Sequence, residues 1–350
     1  MKVNDLLNHT SEWLKGTGPN SDIVISSRVR LARNIENKPF PHWANKKESQ
    51  EFLDEVAKVY KDVHFLKSST FIRLNEVDNL DKQFLIERHL MSHEHALLSD
   101  TKALLVDPQE VLSIMINEED HMRIQVMQSG FNLKGAFDII DNIDNGLSSK
   151  FKFAFTNEWG YLTACPTNTG TGMRGSVMLH LSGLVMMQQI NRVLQTINKL
   201  GITTRGLYGE GTKAYGNFFQ ISNQYTLGRN EQEIVDNING VIQQVIEQEQ
   251  IARQTILKQH NLMLQDRVWR SLGILKNAFL ITSQETIEHL SVARLGIELG
   301  IIKNVDRNTI NELFILTQPA HLQKIENRKL THAERDQKRA DLVRQKLTNN

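Results

Sequence analysis

The segment CPTNTGTGMRGSVMLHL, residues 165–181, combines the only cysteine of the chain with a Gly-x-Gly-x-x-Gly pattern that starts at Gly170. In a dinucleotide-binding turn a helix opens on the last glycine, and an acid follows about 20 residues on. Here residues 176–181 alternate like a strand, and residues 195–197 contain no acid. No Gly-Lys-Ser/Thr follows, which excludes a Walker loop. We therefore interpret the segment as a glycine-rich loop that presents Arg174 to an anion.

Bulk composition places the chain among ordinary globular proteins. It has 350 residues, 40% hydrophobic residues and a formal net charge of +1, so no general affinity for nucleic acid or anionic membranes is indicated. A single cysteine excludes an intrachain disulfide and is typical of a reducing compartment. No leader and no apolar run of roughly 18 residues is recognised, and a cytoplasmic location is expected.

Apolar periodicity outlines the secondary structure. Residues 22–35 begin as a strand, and residues 111–127 predict two strands around an acidic turn. Residues 48–63 place apolar side chains on one helical face. Two more helices are predicted, one over residues 182–200 with a serine cap and one over residues 231–250.

Beyond residue 250 the β-branched runs thin out and helical periodicity continues to the end. This change of texture predicts two domains, a mixed α/β unit over residues 1–250 and a helical unit over residues 251–350.

Arginines recur at strand ends and in glycine-rich segments. Arg28 and Arg30 are two residues apart, so a strand projects both from one face. Arg123, Arg174 and Arg205 occupy comparable positions. Each alone is best explained by a surface salt bridge, whereas the five together could clamp a triphosphate.

The acidic turn NEEDHMR, residues 117–123, lies between apolar strands. It could be a solvated hairpin tip or a loop of oxygen ligands for a metal. Clustered carboxylates can also hold a guanidinium by bidentate hydrogen bonds and accept its proton.

Four separated motifs, in this order, resemble the catalytic domain of the phosphagen (guanidino) kinases, the creatine and arginine kinase family. They are SSRVRLARN, NEEDHMRI, CPTNTGTGMRGSV and RGLYGEG…QISN, and they span residues 24–223. Within the family the chain is most similar to bacterial protein-arginine kinases. The motif RDQKRA at residues 335–340 also resembles a motif of these kinases. The resemblance implies an α+β fold, with an antiparallel sheet flanked by helices and an all-helical C-terminal domain after it.

The resemblance also implies roles for individual residues. The ATP-binding set is Ser27, Arg28, Arg30, His89, Arg123, Arg174 and Arg205. The guanidinium-binding set is Glu118, Glu119, Glu210 and Cys165, of which Glu119, Glu210 and Cys165 are the catalytic residues. The phosphoarginine-binding set is Arg335, Asp336 and Arg339. No metal-binding residues are predicted, although His89 and His93 have zinc-like spacing.

The implied activity is ATP- and Mg²⁺-dependent phosphorylation of arginine side chains on proteins. Metabolic relatives carry a helical domain ahead of the catalytic one, and here the first motif arrives by residue 26, so a more open acceptor site is expected. The implied role is tagging for a Clp-type protease in stress, with a zinc-binding activator protein and a Clp ATPase as partners and a homodimer or larger homo-oligomer as the assembly. The alternatives are a kinase of a free guanidino metabolite and a non-catalytic phosphoarginine-binding adaptor.

Overall fold

The computed structural model describes residues 3–206 and 215–348. The strands are β1 (Val24–Arg33), β2 (Thr70–Arg73), β3 (Ala103–Val106), β4 (Leu112–Ile116), β5 (Met122–Ser129), β6 (Phe155–Thr156), β7 (Gly160–Tyr161), β8 (Met173–His180), β9 (Ile202–Gly206) and β10 (Phe218–Asn223). The helices are α1 (Lys46–Val59), α2 (Asn79–Glu87), α3 (His93–Ala96), α4 (Leu133–Ser148), α5 (Ser182–Met186), α6 (Ile190–Asn198), α7 (Glu231–Gln259), α8 (Asn261–Asn277), α9 (Ser283–Glu298), α10 (Arg307–Leu316), α11 (Pro319–Ile325) and α12 (His332–Thr348). None of the described helices is long and apolar enough to cross a membrane.

One antiparallel sheet of eight strands organises the chain, in the order β2-β3-β4-β5-β1-β8-β10-β9. The long strand β1 is central and pairs with β5 on one side and β8 on the other. Strands β6 and β7 form a separate two-stranded ribbon. The predicted α+β fold, with its antiparallel sheet, flanking helices and helical C-terminal region, is confirmed.

The two faces of the sheet differ because side chains alternate along each strand. One face is apolar and carries Val29, Ile124 and Val177, which pack in a core shared with α1, α4, α6 and α7. The opposite face is covered by smaller apolar clusters at two places, around Phe84 and Met115 and around Trp13 and Phe218. The polar middle of that face lies between these clusters.

The glycines of residues 165–181 serve backbone packing. Gly170 and Gly172 have φ of 113° and 63°, which other residues rarely adopt. A Cβ on Gly170 would lie 2.4 Å from the carbonyl oxygen of Thr226, and one on Gly172 would lie 2.6 Å from that of Ala32. Arg174 belongs to β8 and not to a loop, so the prediction of a glycine-rich loop presenting this arginine was wrong. The predicted strand after the last glycine is confirmed.

The single helix predicted over residues 182–200 was also wrong. Helix α5 ends early because Gln188 adopts a left-handed φ of 57°, and the N–H of Gln189 bonds back to the carbonyl of Leu184. The break turns Met187 towards the helical C-terminal core, whereas α6 returns to cover the sheet. The segment therefore forms two helices, because its first part packs on the C-terminal core and its second part packs on the sheet.

Helix α7 runs through residue 250 and joins the sheet to the C-terminal helices. Helices α8, α9, α10 and α12 contribute to a second apolar cluster that includes Leu264, Leu290 and Val343. Two buried arginines lie at the junction, where Arg253 pairs with Glu249 and Arg294 donates to the carbonyl of Asp22 at 2.9 Å. The polar groups at this junction are thus satisfied internally.

Candidate active site

Strands β5, β1, β8 and β9 bring the predicted arginines to the polar face of the sheet. Arg30 on β1 lies directly opposite Arg174 on β8, and Arg28 projects from the same face two residues earlier. Arg123 lies on the adjacent strand β5, and Arg205 lies on β9. The charges of Arg123, Arg174 and Arg205 all act on Arg28, so the five guanidinium groups form one cluster.

This cluster holds an excess of positive charge. Partial burial, and then the charges of Arg123, Arg174 and Arg205, lower the pKa of Arg28 to about 10. Burial and neighbouring arginines also lower the pKa of Arg30 well below its usual value. Arginine nevertheless stays protonated at neutral pH, so a bound anion would relieve the repulsion among these groups.

Several guanidinium donors in the cluster are weakly satisfied. Arg28 lies 3.4 Å from the hydroxyl of Ser176 and 3.5 Å from the side-chain oxygen of Gln125, both at the long limit of a hydrogen bond. The buried Nε of Arg30 has no acceptor among the described residues. These N–H groups suit the oxygens of a polyphosphate.

The acidic turn between β4 and β5 holds one carboxylate in an ion pair. Glu118 lies 2.8 Å from Nη1 of Arg123 and accepts a hydrogen bond from Ser92 at 2.6 Å. Burial alone would raise the pKa of Glu118, but Arg123 and Ser92 outweigh it and hold the pKa at about 2. Glu118 therefore positions Arg123 in this structure.

The next two carboxylates of the turn have different surroundings. Asp120 is buried and accepts hydrogen bonds from the side chain of Asn34 at 2.6 Å and the N–H of Ala164 at 2.7 Å. Glu119 is exposed, and within residues 3–206 and 215–348 no hydrogen bond reaches its carboxylate. Partial burial and then Asp120 raise the pKa of Glu119, with Arg123 opposing them. Such a carboxylate is suited to grip an incoming guanidinium and accept a proton.

The loop that carries Cys165 is tied to the same turn. Ala164, the preceding residue, donates its N–H to Asp120, which fixes where the loop begins. Cys165 itself is half-buried, with its sulfur 3.0 Å from the hydroxyl of Thr167. Glu210, the other predicted catalytic carboxylate, lies outside the described residues.

His89 lies near Arg28 of the arginine cluster. Its ring meets Trp13 edge-to-face at 5.4 Å, and its carbonyl accepts a hydrogen bond from Gln125 at 2.8 Å. Burial, and then the charge of Arg28, lower the pKa of His89 to about 4, so the ring is neutral at pH 7. A neutral imidazole beside a cavity can contact a nucleotide without adding charge.

Ser27 is not brought to this face. Its hydroxyl is buried, donates to the carbonyl of Gly130 at 2.8 Å and accepts the N–H of Asn132 at 3.0 Å. As the residue between Ser26 and Arg28 on β1, Ser27 projects to the other side of the strand. Its side chain therefore supports the loop after β5.

A cavity of about 500 Å³ opens beside the arginine cluster. Its apolar walls are formed by Trp13, Leu14, Ile25, Met127, Met178, Phe218, Phe314 and Ile315. Its polar lining includes Arg28, His89, Ser176, Gln220 and Gln318. An apolar chamber that continues into a cationic surface matches a ligand with a planar base and an anionic tail.

The donor set fits ATP and leaves little for a protein-bound metal. Surplus guanidinium N–H groups, including the unpaired Nε of Arg30, match phosphate oxygens. No group of three or more potential metal ligands occurs in the described ranges. Mg²⁺ commonly keeps several waters and binds through substrate phosphates, so it would arrive on the nucleotide.

The three predicted phosphoarginine-binding residues come together on α12. Thr331 caps the helix, with the Thr331–Glu334 capping box in place. Arg339 is buried and donates to Asp336 at 2.6 Å and to the carbonyl of Thr317 at 2.8 Å. Arg335 is half-buried and its charge acts on Arg339.

Sequence reasoning missed several residues of this site. Asn34 holds both Asp120 and the N–H of His121, and Gln125 bridges His89 to the arginine face. The spacing of Gln125 from Arg123 was a usable signal, because residues two apart on a strand share a face. The contribution of α10 to the cavity carries no local signal, because it depends on long-range packing.

Comparison with known proteins places these features in one family. Residues 51–252 match the family model of the ATP:guanido phosphotransferase C-terminal catalytic domain, and residues 261–350 match that of the protein-arginine kinase McsB C-terminal domain. The chain is similar to the protein-arginine kinase of Halothermothrix orenii, with 45% identity over 348 residues and 99% of each chain covered. It is similar to that of Bacillus velezensis, with 48% identity, 96% of this chain and 93% of the relative covered.

Among solved structures, the crystal structure of a lombricine kinase is similar, with a TM-score of 0.60 and 26% identity. The similarity covers 71% of this chain and 76% of the lombricine kinase chain. The family match spans well over half of the chain and coincides with the arginine-lined sheet and the acidic turn. The chain therefore belongs to the ATP:guanido phosphotransferase family, among its protein-arginine kinases, and is a kinase.

Proposed function

We propose that this chain transfers the γ-phosphoryl group of ATP·Mg²⁺ to arginine side chains on proteins. The observation that carries the proposal is the β4–β5 hairpin, because it places Glu119 and Arg123 four residues apart. Arg123 belongs to the cationic face, and the exposed Glu119 lies at its edge. Phosphate-binding cations and a guanidinium-binding carboxylate thus share one structural element.

Phosphoryl transfer depends mainly on positioning and charge stabilisation. Arg28, Arg30 and Arg174 would hold the phosphate oxygens in line and offset charge that develops on the moving group. A guanidinium is a poor nucleophile, since it is protonated and its lone pairs are delocalised. Glu119 would orient it and accept the proton of the attacking nitrogen while the N–P bond forms and the bond to the ADP oxygen breaks. Mg²⁺ would supply further neutralisation of the phosphates.

The exposure of Glu119 favours a protein acceptor over a free guanidino metabolite. A small substrate gains affinity from a site that encloses it, whereas an arginine on a polypeptide needs a carboxylate that it can reach from outside. Cys165 would line this entrance and help to position the guanidinium. This geometry and the similarity of the chain to protein-arginine kinases support the proposal.

The test is incubation of the purified chain with ATP and Mg²⁺, together with either an unfolded arginine-containing protein or free arginine. We expect an acid-labile phosphate on arginine residues of the protein, detected by intact-mass and peptide-mass analysis. Phosphate found only on free arginine would establish the metabolite kinase instead. Absence of transfer with retained phosphoarginine binding would establish the adaptor.

The matched variants are Glu119→Gln and Glu158→Gln. We expect the first to lower kcat by roughly 10²- to 10⁴-fold with ATP affinity retained, because only the acceptor loses its base. The second replaces an exposed glutamate in the turn between β6 and β7 and should leave kcat unchanged. Normal turnover in Glu119→Gln would refute the assignment of this base.

We further propose the cellular context that the resemblance to the family implies. The product would mark proteins in the cytoplasm for a Clp-type protease, with a zinc-binding activator protein and a Clp ATPase as partners. Arg335, Asp336 and Arg339 would bind phosphoarginine. Exposed apolar side chains on and after α8, Leu262, Trp269 and Phe279, support assembly into a homodimer or larger homo-oligomer. Co-purification with a Clp ATPase and sedimentation of a Leu262→Asp variant test these points.

A further inference from the structure

The segment KPFPHWA, residues 38–44, carries a conspicuous exposed ring beside the acidic turn. Trp43 is 78% exposed, so the fold gains little from its indole. A single exposed apolar side chain is ordinary on a protein surface. Trp43 is of interest because of its position relative to Glu119.

A row of aromatic contacts fixes that position. The ring centroids of Trp43 and His42 are 5.7 Å apart, and those of His42 and Phe40 are 6.4 Å apart. Phe40 meets His121 edge-to-face at 6.3 Å. His121 directly follows Asp120, so the row begins at the acidic turn and ends at the exposed indole.

His121 gives this row a firm base. Its N–H donates to the side-chain oxygen of Asn34 at 2.9 Å, and its ring packs on Phe52 with centroids 4.7 Å apart. Burial lowers the pKa of His121 to about 4, so the ring adds no charge to the turn at neutral pH. The row is therefore anchored at the buried His121, whereas His42 and Trp43 at its other end are exposed.

The surroundings of the indole are those of a site for a cation. His42 is close enough to Glu119 for its charge to act on that carboxylate. Glu118 is paired with Arg123 and Asp120 is buried, which leaves Glu119 as the exposed acid of the turn. An aromatic face beside a carboxylate attracts a guanidinium through both stacking and charge.

We propose that Trp43 is a positioning residue for the acceptor, whose indole stacks on the substrate arginine as Glu119 engages the guanidinium. This inference rests on the proposed protein-arginine kinase function and assigns a further determinant of the acceptor site. Stacking would restrict the long, flexible side chain before transfer, which an open site otherwise does poorly. The effect would fall on the affinity for the protein substrate and not on the affinity for ATP.

Trp43→Ala, Trp43→Phe and the control Trp159→Ala test this role. Trp159 is an exposed indole too, at 48%, but lies in the turn between β6 and β7. We expect Trp43→Ala to raise KM for an unfolded protein substrate by roughly threefold to tenfold, with KM for ATP unchanged. Trp43→Phe should recover part of the loss because it keeps an aromatic face, and Trp159→Ala should behave as wild type.

A binding measurement provides a second readout that does not need turnover. An arginine-containing peptide should change the tryptophan fluorescence of the wild type in the absence of ATP, and Trp43→Phe should remove that change. A matched lysine peptide should produce a smaller change, since an ammonium stacks less well than a guanidinium. Unaltered KM in Trp43→Ala, or an unaltered fluorescence response in Trp43→Phe, would overturn the inference. If the wild type modifies no protein at all, the proposed function is refuted. That result does not depend on the comparison of wild type with the Trp43 variants.

Discussion

Two groups of arginines in this molecule are partly or fully buried, and they differ in how their N–H groups are satisfied. At the junction with the C-terminal helices, Arg294 donates to the carbonyls of Ser21 and Asp22 at 2.5 and 2.9 Å. On the sheet face, Arg28 has only long contacts and the Nε of Arg30 has no acceptor among the described residues. The first group completes the fold, whereas the second has donors left for a ligand.

The pKa values do not separate these groups. Burial is the largest cause in both, and it lowers the pKa of Arg28 to about 10 and that of Arg294 to about 9. Arg253 and Arg307 add to the shift at Arg294, but Glu298 and Asp22 oppose it, whereas at Arg28 the neighbouring charges are arginines that all lower the pKa. Unused donors together with the mutual repulsion of neighbouring arginines therefore identify a binding surface better than a shifted pKa does.

The strongest test of this comparison is Arg30→Met. We expect kcat/KM to fall by about 10³-fold or more, because a cation that stabilises the transferring phosphoryl group is lost. The free energy of unfolding should stay constant or rise, since the substitution removes repulsion among the arginines. Initial rates and urea unfolding measure the two quantities. A loss of stability as large as the loss of activity would place Arg30 with the structural arginines.

The reciprocal variant, Arg294→Met, should mainly affect folding. Removing this guanidinium leaves the carbonyl oxygen of Ser21 buried without its donor, and leaves that of Asp22 with only the bond from Arg253 at 3.2 Å, which costs about 2 kcal/mol of unfolding free energy. Turnover per folded molecule should stay within about twofold of wild type, because Arg294 lies outside the arginine cluster. A urea titration combined with rates normalised to the folded fraction checks both expectations. Full stability in Arg294→Met would show that satisfied donors contribute little here.

Much of the catalytic sheet was predictable from the sequence because strand patterns are local. The two-residue spacing of Arg28 and Arg30 predicts a common face, and the apolar runs around residues 117–121 predict a hairpin. Both predictions are confirmed by β1 and by β4 and β5. The gathering of Arg174 and Arg205 with them followed only from the family resemblance, since the sequence does not state the strand order.

The remainder depends on contacts between distant parts of the chain. The glycines at 170 and 172 look like a phosphate loop in sequence but are required by close approach of Thr226 and Ala32. The break between α5 and α6 allows Met186 and Met187 to pack against the C-terminal core while α6 packs against the core of the sheet. The sequence also does not predict which of Glu118 and Glu119 pairs with Arg123, because this depends on which carboxylate the fold turns towards that arginine.

A smaller effect is expected where an acid satisfies one of the sheet arginines. Glu118 has a pKa of about 2 because Arg123 and Ser92 outweigh burial. A carboxyl whose pKa is lowered on folding stabilises the protein above its unfolded pKa of about 4.3, and this contribution fades as the pH falls towards 2. Glu118→Gln should therefore lose on the order of 2 kcal/mol of stability at pH 7 and less at pH 3. Urea unfolding of both proteins at the two pH values measures the difference. A gap that is independent of pH would contradict the ion pair.

The mildest prediction concerns the tail, where the two classes of arginine occur side by side. Arg339 resembles the structural class, since it is buried and bonds to the carbonyls of Thr317 and Ile281. Arg335 is half-buried and makes fewer such bonds, one to the carbonyl of Leu330 at 3.2 Å and one to the ring of His332 at 2.9 Å. Arg335→Ala should change the unfolding free energy by no more than about 0.5 kcal/mol. Arg339→Ala should cost more stability, because it leaves two carbonyls without a donor.

If the tail binds phosphoarginine, the effect of these two variants on phosphoarginine binding should not follow their effect on the free energy of unfolding. Arg335→Ala alone should then weaken binding of a phosphoarginine peptide while the affinity for ATP stays unchanged, because the half-buried guanidinium has donors to offer a phosphoryl group. Combining it with Arg339→Ala should weaken the peptide further at an added cost in stability. Calorimetric titration with the phosphoarginine peptide, and with its unmodified form as the control, gives both affinities. Equal binding by wild type and Arg335→Ala would remove the ligand role of this residue and leave α12 as a structural helix.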